Sequence, residues 1–248
     1  MIETLLERSD LFVYLAATPL TWLTLTFVAY LVADRLSQAS GRHPAVNLVA
    51  LTAFLVIVML KATGVSYETY FAGAQFIHFL LGPATVALAI PLYRNLERVK
   101  ASALPILASL LVGSVTAIVS AVLIGKLLGG TPELVASLAP KSVTAPIAMG
   151  LAEKTGGAPF LTAALVVATG VFGAIVLSPL MRLLRITETN SEDLAAIGMA
   201  AGVASHGIGT ARAFQIDSTA GAFSGIAMGL NGALTGVILP FLRPWLGF

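Results

Sequence analysis

The chain has no cysteine and very little charge, with 14 Lys and Arg and 12 Asp and Glu among 248 residues, 10% in all. Without cysteine there are no disulfides, thiolate metal sites or cysteine nucleophiles. The shortage of charge is as restrictive. Soluble domains carry roughly 25% charged residues, and a chain with under half of that cannot cover a globular surface with charge. With 57% hydrophobic residues and a mean hydropathy of +0.93, the composition is that of an integral membrane protein, whose first partner is the lipid bilayer. A net charge of +2 gives no reason to expect a nucleic-acid partner. Enzyme signatures are missing too: there is no HExxH, no GxSxG and no phosphate loop. His43, His78 and His206 stand far apart, without metal-ligand spacing. Neither an enzyme nor a metal or cofactor site is expected.

What is present is a succession of apolar runs. They predict an all-α polytopic membrane protein with roughly seven to nine hydrophobic segments of about 20 residues, over 11–33, 45–60, 67–92, 104–128, 134–153, 160–184, 194–215 and 220–245. The first follows Glu3, Glu7, Arg8 and Asp10 rather than a basic stretch, so it reads as a retained helix. Three segments carry breaks: Gly82-Pro83, then Pro140-Lys141-Ser142 with Pro146, then Ser205-His206-Gly207. Proline or glycine at membrane depth signals a broken or re-entrant helix. Basic residues cluster as Arg35/Arg42, Arg94/Arg98/Lys100 and Arg182/Arg185, which predicts a shared cytoplasmic side for these loops. The stretch between the spans 104–128 and 160–184 then makes an even number of crossings, most simply by re-entering. A single crossing would put one of the two loops outside.

The breaks also repeat. A displacement of 57 residues lays Pro83 and Val86 on Pro140 and Val143, Gly113 on Gly170, and Ala117-Ile-Val on Ala174-Ile-Val. A third copy starts near Ser205, where Thr210-Ala211 echoes Thr144-Ala145. Each copy is expected to be a broken polar helix followed by an intact span, a plan common in transporters.

Three constellations could carry chemistry. Around Lys141, Pro140 and Pro146 free backbone groups beside the hydroxyls of Ser142 and Thr144. An ammonium at membrane depth is costly unless paired or hydrated, so Lys141 either binds an anion or snorkels to the interface. Around His206, Ser205, Gly207, Gly209 and Thr210 permit an unwound stretch. The imidazole could relay a proton or bond a carbonyl and join two helices. Arg212 could hold a carboxylate or sit at an interface. In the third, Gly82, Pro83 and Thr85, with Gln75 and His78 a turn or two earlier, read most simply as a packing kink. Asn231, inside the last span, either lines the same cavity or bridges helices.

Leu81-Gly-Pro-Ala-Thr-Val-Ala-Leu-Ala-Ile-Pro-Leu-Tyr93, Pro140-Lys-Ser-Val-Thr-Ala-Pro-Ile-Ala-Met149 and Ser205-His-Gly-Ile-Gly-Thr-Ala211, extended by Gly221-Ala-Phe-Ser224, resemble the LrgB/CidB family of membrane proteins. That family includes the carboxyl half of the plastidial glycolate/glycerate translocator. The resemblance runs from about Tyr67 to the C-terminus, and divides the chain into N-terminal spans over 1–66, serving as scaffold or oligomerisation element, and an LrgB-like core over 67–248. It implies one of two functions. One is transport of small monocarboxylates such as pyruvate, glycolate or glycerate; the other is antiholin-like control of murein hydrolase activity and cell lysis. It further implies a bacterial cytoplasmic membrane, a homodimer or higher homo-oligomer, and a small LrgA/CidA-like membrane partner. The family often has an acidic residue where this chain has Gly150, and Glu near the position of Gln215. On the transport reading, Lys141, Ser142, Thr144, Ser205, His206, Thr210, Arg212, Thr85 and Asn231 are the candidate binding residues.

Overall fold

A computed structural model describes residues 18–43, 46–80 and 96–248, together with 83, 86, 87, 90 and 93. Every element among them is helical, and the chain separates into two compact units, 1–87 and 88–248.

In the first unit, Pro19 opens α1 (Pro19–Ala39), where its fixed φ and missing N–H cost nothing. Asn47 caps α2 (Leu48–Thr63) by accepting from the amides of Val49 and Ala50, and Gly64 ends it at φ 68°. Then follows α3 (Tyr67–Phe79). Trp22 is buried against Tyr70 in an edge-on ring contact at 6.3 Å. Gly73 lets α3 approach the Pro19 carbonyl more closely than any side chain would permit. The first helix runs past Asp34-Arg35, where the sequence suggested an end. Gln38 donates to the Asp34 carboxylate at 2.6 Å, an i,i+4 pair that keeps the charge within a continuing helix.

The second unit contains α4 (Leu96–Ala101), α5 (Ala103–Leu127), α6 (Pro132–Leu138), α7 (Ala145–Thr155), α8 (Pro159–Leu183), α9 (Ser191–Ile216) and α10 (Ser218–Leu246). Of these, α5, α8, α9 and α10 have the length and apolar composition to cross a bilayer, and α2 of the first unit is a shorter apolar helix.

At seven and eleven residues, α6 and α7 are too short to span about 30 Å of hydrocarbon. Thr131 accepts from the Leu134 amide and, with Pro132, starts α6 as the sequence suggested. After the turn at 139–144 the chain returns. The Ala158 amide donates to Ser137 Oγ at 2.8 Å, and Thr162 donates to the Ser137 carbonyl at 3.2 Å. The pair is therefore a re-entrant hairpin, which preserves the even number of crossings.

The stretch 194–215, expected as a span broken near its centre, also doubles back. His206 stands at φ 41°, ψ −134° inside α9, a conformation that only glycine adopts without strain. A Cβ on Gly209 would lie 2.5 Å from the Ala201 carbonyl oxygen. Eight residues apart on a straight helix, the two would be about 12 Å apart. Farther out, Ala213 joins Ile197, Ala201 and Ala220 in one buried cluster with Leu177 and Met181. Arms 191–205 and 207–216 thus lie antiparallel, and α9 is a second re-entrant hairpin.

The two hairpins enter from opposite faces. Ser102 and Pro105 at the start of α5 share a cavity rim with Leu180 and Met181 at the end of α8 and Glu192 at the start of α9. Those ends define one face, close to Lys100, Arg182 and Arg185, called here the basic face. The second hairpin enters from it, and the first from the other. Each hairpin is followed by a span, α8 toward the basic face and α10 away from it, so these two copies of the repeat have inverted topology.

Candidate functional site

The tips of the two hairpins meet near the middle of the second unit. At the first, the amide of Lys141 bonds the Leu138 carbonyl at 3.1 Å and that of Val143 the Pro140 carbonyl at 3.2 Å. Thr144 then flanks α7, with Pro146 in its first turn. At the second, His206 Nε2 lies 2.9 Å from the Val166 carbonyl on α8. A carbonyl only accepts, so this nitrogen carries the proton. Gly170 makes the contact possible, since a Cβ there would lie 2.7 Å from His206 Cε1. Thr210 donates to the His206 carbonyl at 2.8 Å and is 2.9 Å from Ser224 Oγ on α10.

Asn231 of α10 ties the tips together. Its amide nitrogen donates to the Ser142 carbonyl at 3.4 Å and the Val203 carbonyl at 3.1 Å, and its oxygen accepts from Ser114 on α5. Two carbonyls facing one end of the side chain fix which end is the nitrogen. The residue is 1% exposed, and one side chain joins α5, α10 and both breaks.

A cleft of about 1070 Å³ runs from the basic face to these tips. It lies between α5 and α8 and is backed by the inward arm of α9. Lys141, Ser142 and Ser205 line it. Beyond the tips the unit is sealed by Ile118, Val122, Val135, Ala139 and Leu239, which form one buried apolar cluster. Among the described residues, the lining of the cleft reaches the basic face, and none of it comes from beyond the tips.

Lys141 is half-buried at the closed end, and its ammonium reaches Ser142 Oγ at 3.4 Å. The one salt bridge among the described residues is Lys100–Glu97, far from it in sequence and on α4. No described carboxylate lies within ion-pair distance of Lys141. An ammonium held at this depth, open to the cleft and without a protein counter-ion, favours an anion arriving from the cleft.

The other candidates point elsewhere. Behind the lining, Asn231 supports the wall. His206 is directed at α8, Thr210 at α10, and Arg212 donates to Ser178 on α8 at 3.3 Å and to Gln215 at 3.2 Å. Thr144 is the residue before α7 and is not among those lining the cleft. Gly207 and Gly209 begin the outward arm of α9. Gly82 and Thr85 lie outside the described residues, whereas Pro83 is described as helical.

Comparison with known proteins places the chain in a family. The LrgB-like family matches residues 26–245. The chain belongs to the LrgB-like family. It is 38% identical over 220 residues to YwbG of Bacillus subtilis, covering 89% of this chain and 95% of that one. It is 34% identical over 223 residues to the holin-like protein CidB of Staphylococcus aureus, covering 90% and 95%. The holin-like protein CidB of Staphylococcus epidermidis is 32% identical over 218 residues, covering 88% and 93%. No solved structure matches. The family, the bacterial relatives and the apolar helices together make this an integral membrane protein.

In this LrgB-like protein two threonines that the sequence did not single out, Thr116 and Thr169, also line the cleft near the tips. Their signal was indirect. The repeat pairs Gly113 with Gly170, and these glycines face Val203 and His206 respectively. Thr116 lies one turn past the first, and Thr169 adjoins the second.

Proposed function

We propose that this LrgB-like protein is a carrier of small monocarboxylates such as pyruvate, glycolate or glycerate, and exposes Lys141 to one side of the bacterial cytoplasmic membrane at a time. The observation that carries this reading is the uncompensated ammonium of Lys141 at the closed end of a one-sided cleft. The carboxylate pairs with Lys141 and bonds Ser142. Its charge is further favoured by the N-terminal end of α7, which starts just beyond the break. Hairpins of inverted topology whose tips share one site are the usual machinery of alternating access. Release to the other face then requires opening the cluster of Val135, Val122 and Leu239 and closing the cleft between α5 and α8. The excess of basic residues beside the open mouth makes that mouth cytoplasmic.

A second reading follows from the names of the staphylococcal relatives, which are called holin-like. On it, the chain regulates murein hydrolase activity and lysis without a substrate of its own. The sealed half of the unit favours the carrier, since a simple pore needs a continuous path. Purified protein in liposomes, with and without a small LrgA/CidA-like partner, separates the two. The carrier takes up labelled pyruvate or glycolate while a trapped large dye stays inside, and Lys141→Ala raises the KM for uptake sharply. Dye release without saturable uptake supports the holin-like reading, and no uptake of either acid with the partner present rejects the carrier.

A further inference from the structure

We propose that Thr116 and Thr169, together with Ser205, recognise an oxygen on carbon 2 of the bound acid, so that 2-hydroxy and 2-oxo monocarboxylates are preferred over unsubstituted acids of equal length. This rests on the carrier reading and assigns two residues to its specificity.

The first observation is what six other helical threonines do; Thr24 of α1 and Thr235 of α10 are exceptions, whose hydroxyls also bond no described group and which do not line the cleft. Thr26, Thr52, Thr63, Thr155, Thr162 and Thr210 each return the hydroxyl to the carbonyl four residues earlier. That local bond is the ordinary way for a helical threonine to satisfy its donor. Thr116 and Thr169 lie within α5 and α8, where the same bond is open to them, yet neither hydroxyl bonds any described group. The Ser205 hydroxyl is also without a described partner, although the residue is 2% exposed and packs against Gly173. All three residues line the cleft.

The second observation is their depth. Gly113 faces Val203, Gly170 faces His206 and Gly173 faces Ser205. Thr116 and Thr169 are therefore level with the hairpin tips, at the closed end where Lys141 and Ser142 stand. Nearer the mouth the lining mixes apolar Ile106, Val176 and Leu180 with Ser102, Ser109 and Glu192. A carboxylate on Lys141 puts its second carbon one bond farther from the ammonium, among the hydroxyls of the flanking helices. Hydroxyls both donate and accept, so they suit a 2-oxo group, which only accepts, and a 2-hydroxy group, which does both. An unsubstituted acid would leave these groups without the partner the site presents, and sites built this way discriminate against the analogue that lacks the oxygen.

Uptake into proteoliposomes of lactate, pyruvate and propionate, three acids of equal carbon count, tests the assignment. The wild type should take up lactate and pyruvate with a KM about tenfold below that of propionate, the gain expected from one or two neutral hydrogen bonds. The near-isosteric double variant Thr116→Val/Thr169→Val should raise the KM for lactate and pyruvate about tenfold and leave propionate unchanged. Thr116→Ser/Thr169→Ser, which keeps both hydroxyls, should retain the preference and serves as the folding control. Equal handling of the three acids by the wild type, or a valine variant that shifts all three alike, overturns the assignment and leaves the carrier standing. Absence of uptake for every acid overturns both.

Discussion

The two hairpins reach the same depth by different means. The first is broken by covalent chemistry: Pro140 and Pro146 cannot continue a helix, and the turn between them holds a lysine at the cleft. The second is broken at one strained residue, His206, inside a stretch that is otherwise helical on both sides. Its turn carries no charge into the cleft, and its imidazole bonds the neighbouring span instead. The first tip is thus built to present a group to a ligand, and the second to hold a geometry. If that division is right, substitutions at the first should change transport and substitutions at the second should change stability.

The largest effect is expected at Lys141. Removing one member of a desolvated charge pair costs about 2–5 kcal/mol, so Lys141→Ala should lower the apparent affinity for a carboxylate by ~30-fold or more, as measured by uptake. The variant should unfold at or above the wild-type temperature, because a costly half-buried charge has gone. An unchanged KM would break the division at its first term.

Asn231, which serves both tips, comes next. Asn231→Ala leaves the buried Ser142 and Val203 carbonyls and the Ser114 hydroxyl without their partner. Unsatisfied buried groups cost about 1–3 kcal/mol each before relaxation; an overall loss of about 2–4 kcal/mol is expected in thermal unfolding. Asn231→Asp should be worse, since it keeps the shape but turns a donor toward two carbonyls into an acceptor.

At His206 two replacements separate strain from bonding. His206→Ala keeps a Cβ at φ 41° and loses the bond to Val166, whereas His206→Gly loses the same bond but relieves the backbone. The glycine variant should be the more stable of the two by about 1–3 kcal/mol. Equal stabilities would mean that the tip carries no strain.

Much of the plan was legible because the first hairpin announces itself through proline and charge. The break at Ser205-His206-Gly207 was legible as well. Whether the chain crosses or returns behind it was not. Gly198, Gly202 and Gly209, which let the arms of α9 and the start of α10 pack closely, would serve equally well in a straight span against a neighbour. Thr116 and Thr169 were hidden for a related reason. A threonine inside an apolar run often bonds its own helix, and only the structure shows that these two do not and that they line the cleft. For Arg212, composition suggested a group at the heart of the site, but its position is set by partners, Ser178 and Gln215, that lie far apart in sequence or only one turn away.

The smallest effects lie at the caps that launch the chain into and out of the hairpins. Thr131 caps α6 ahead of the first, and Asp217 caps α10 after the second by accepting from the Thr219 amide at 2.6 Å. Replacing either by alanine should cost about 1 kcal/mol. Their pH dependence differs. Hydrogen bonds from Thr219, the backbone one foremost, hold the Asp217 carboxyl below its ordinary value. A group whose folded pKa is depressed contributes stability above its unfolded pKa and loses it as pH falls through the folded one. The deficit of Asp217→Ala relative to wild type should therefore be full at neutral pH and fade below the ordinary carboxylate range. That of Thr131→Ala should stay constant, since a hydroxyl has no charge to lose. Unfolding temperatures of the two variants from pH 7 down to pH 3 check this, and parallel curves would show that the Asp217 carboxylate does not stabilise the helix that follows the second hairpin.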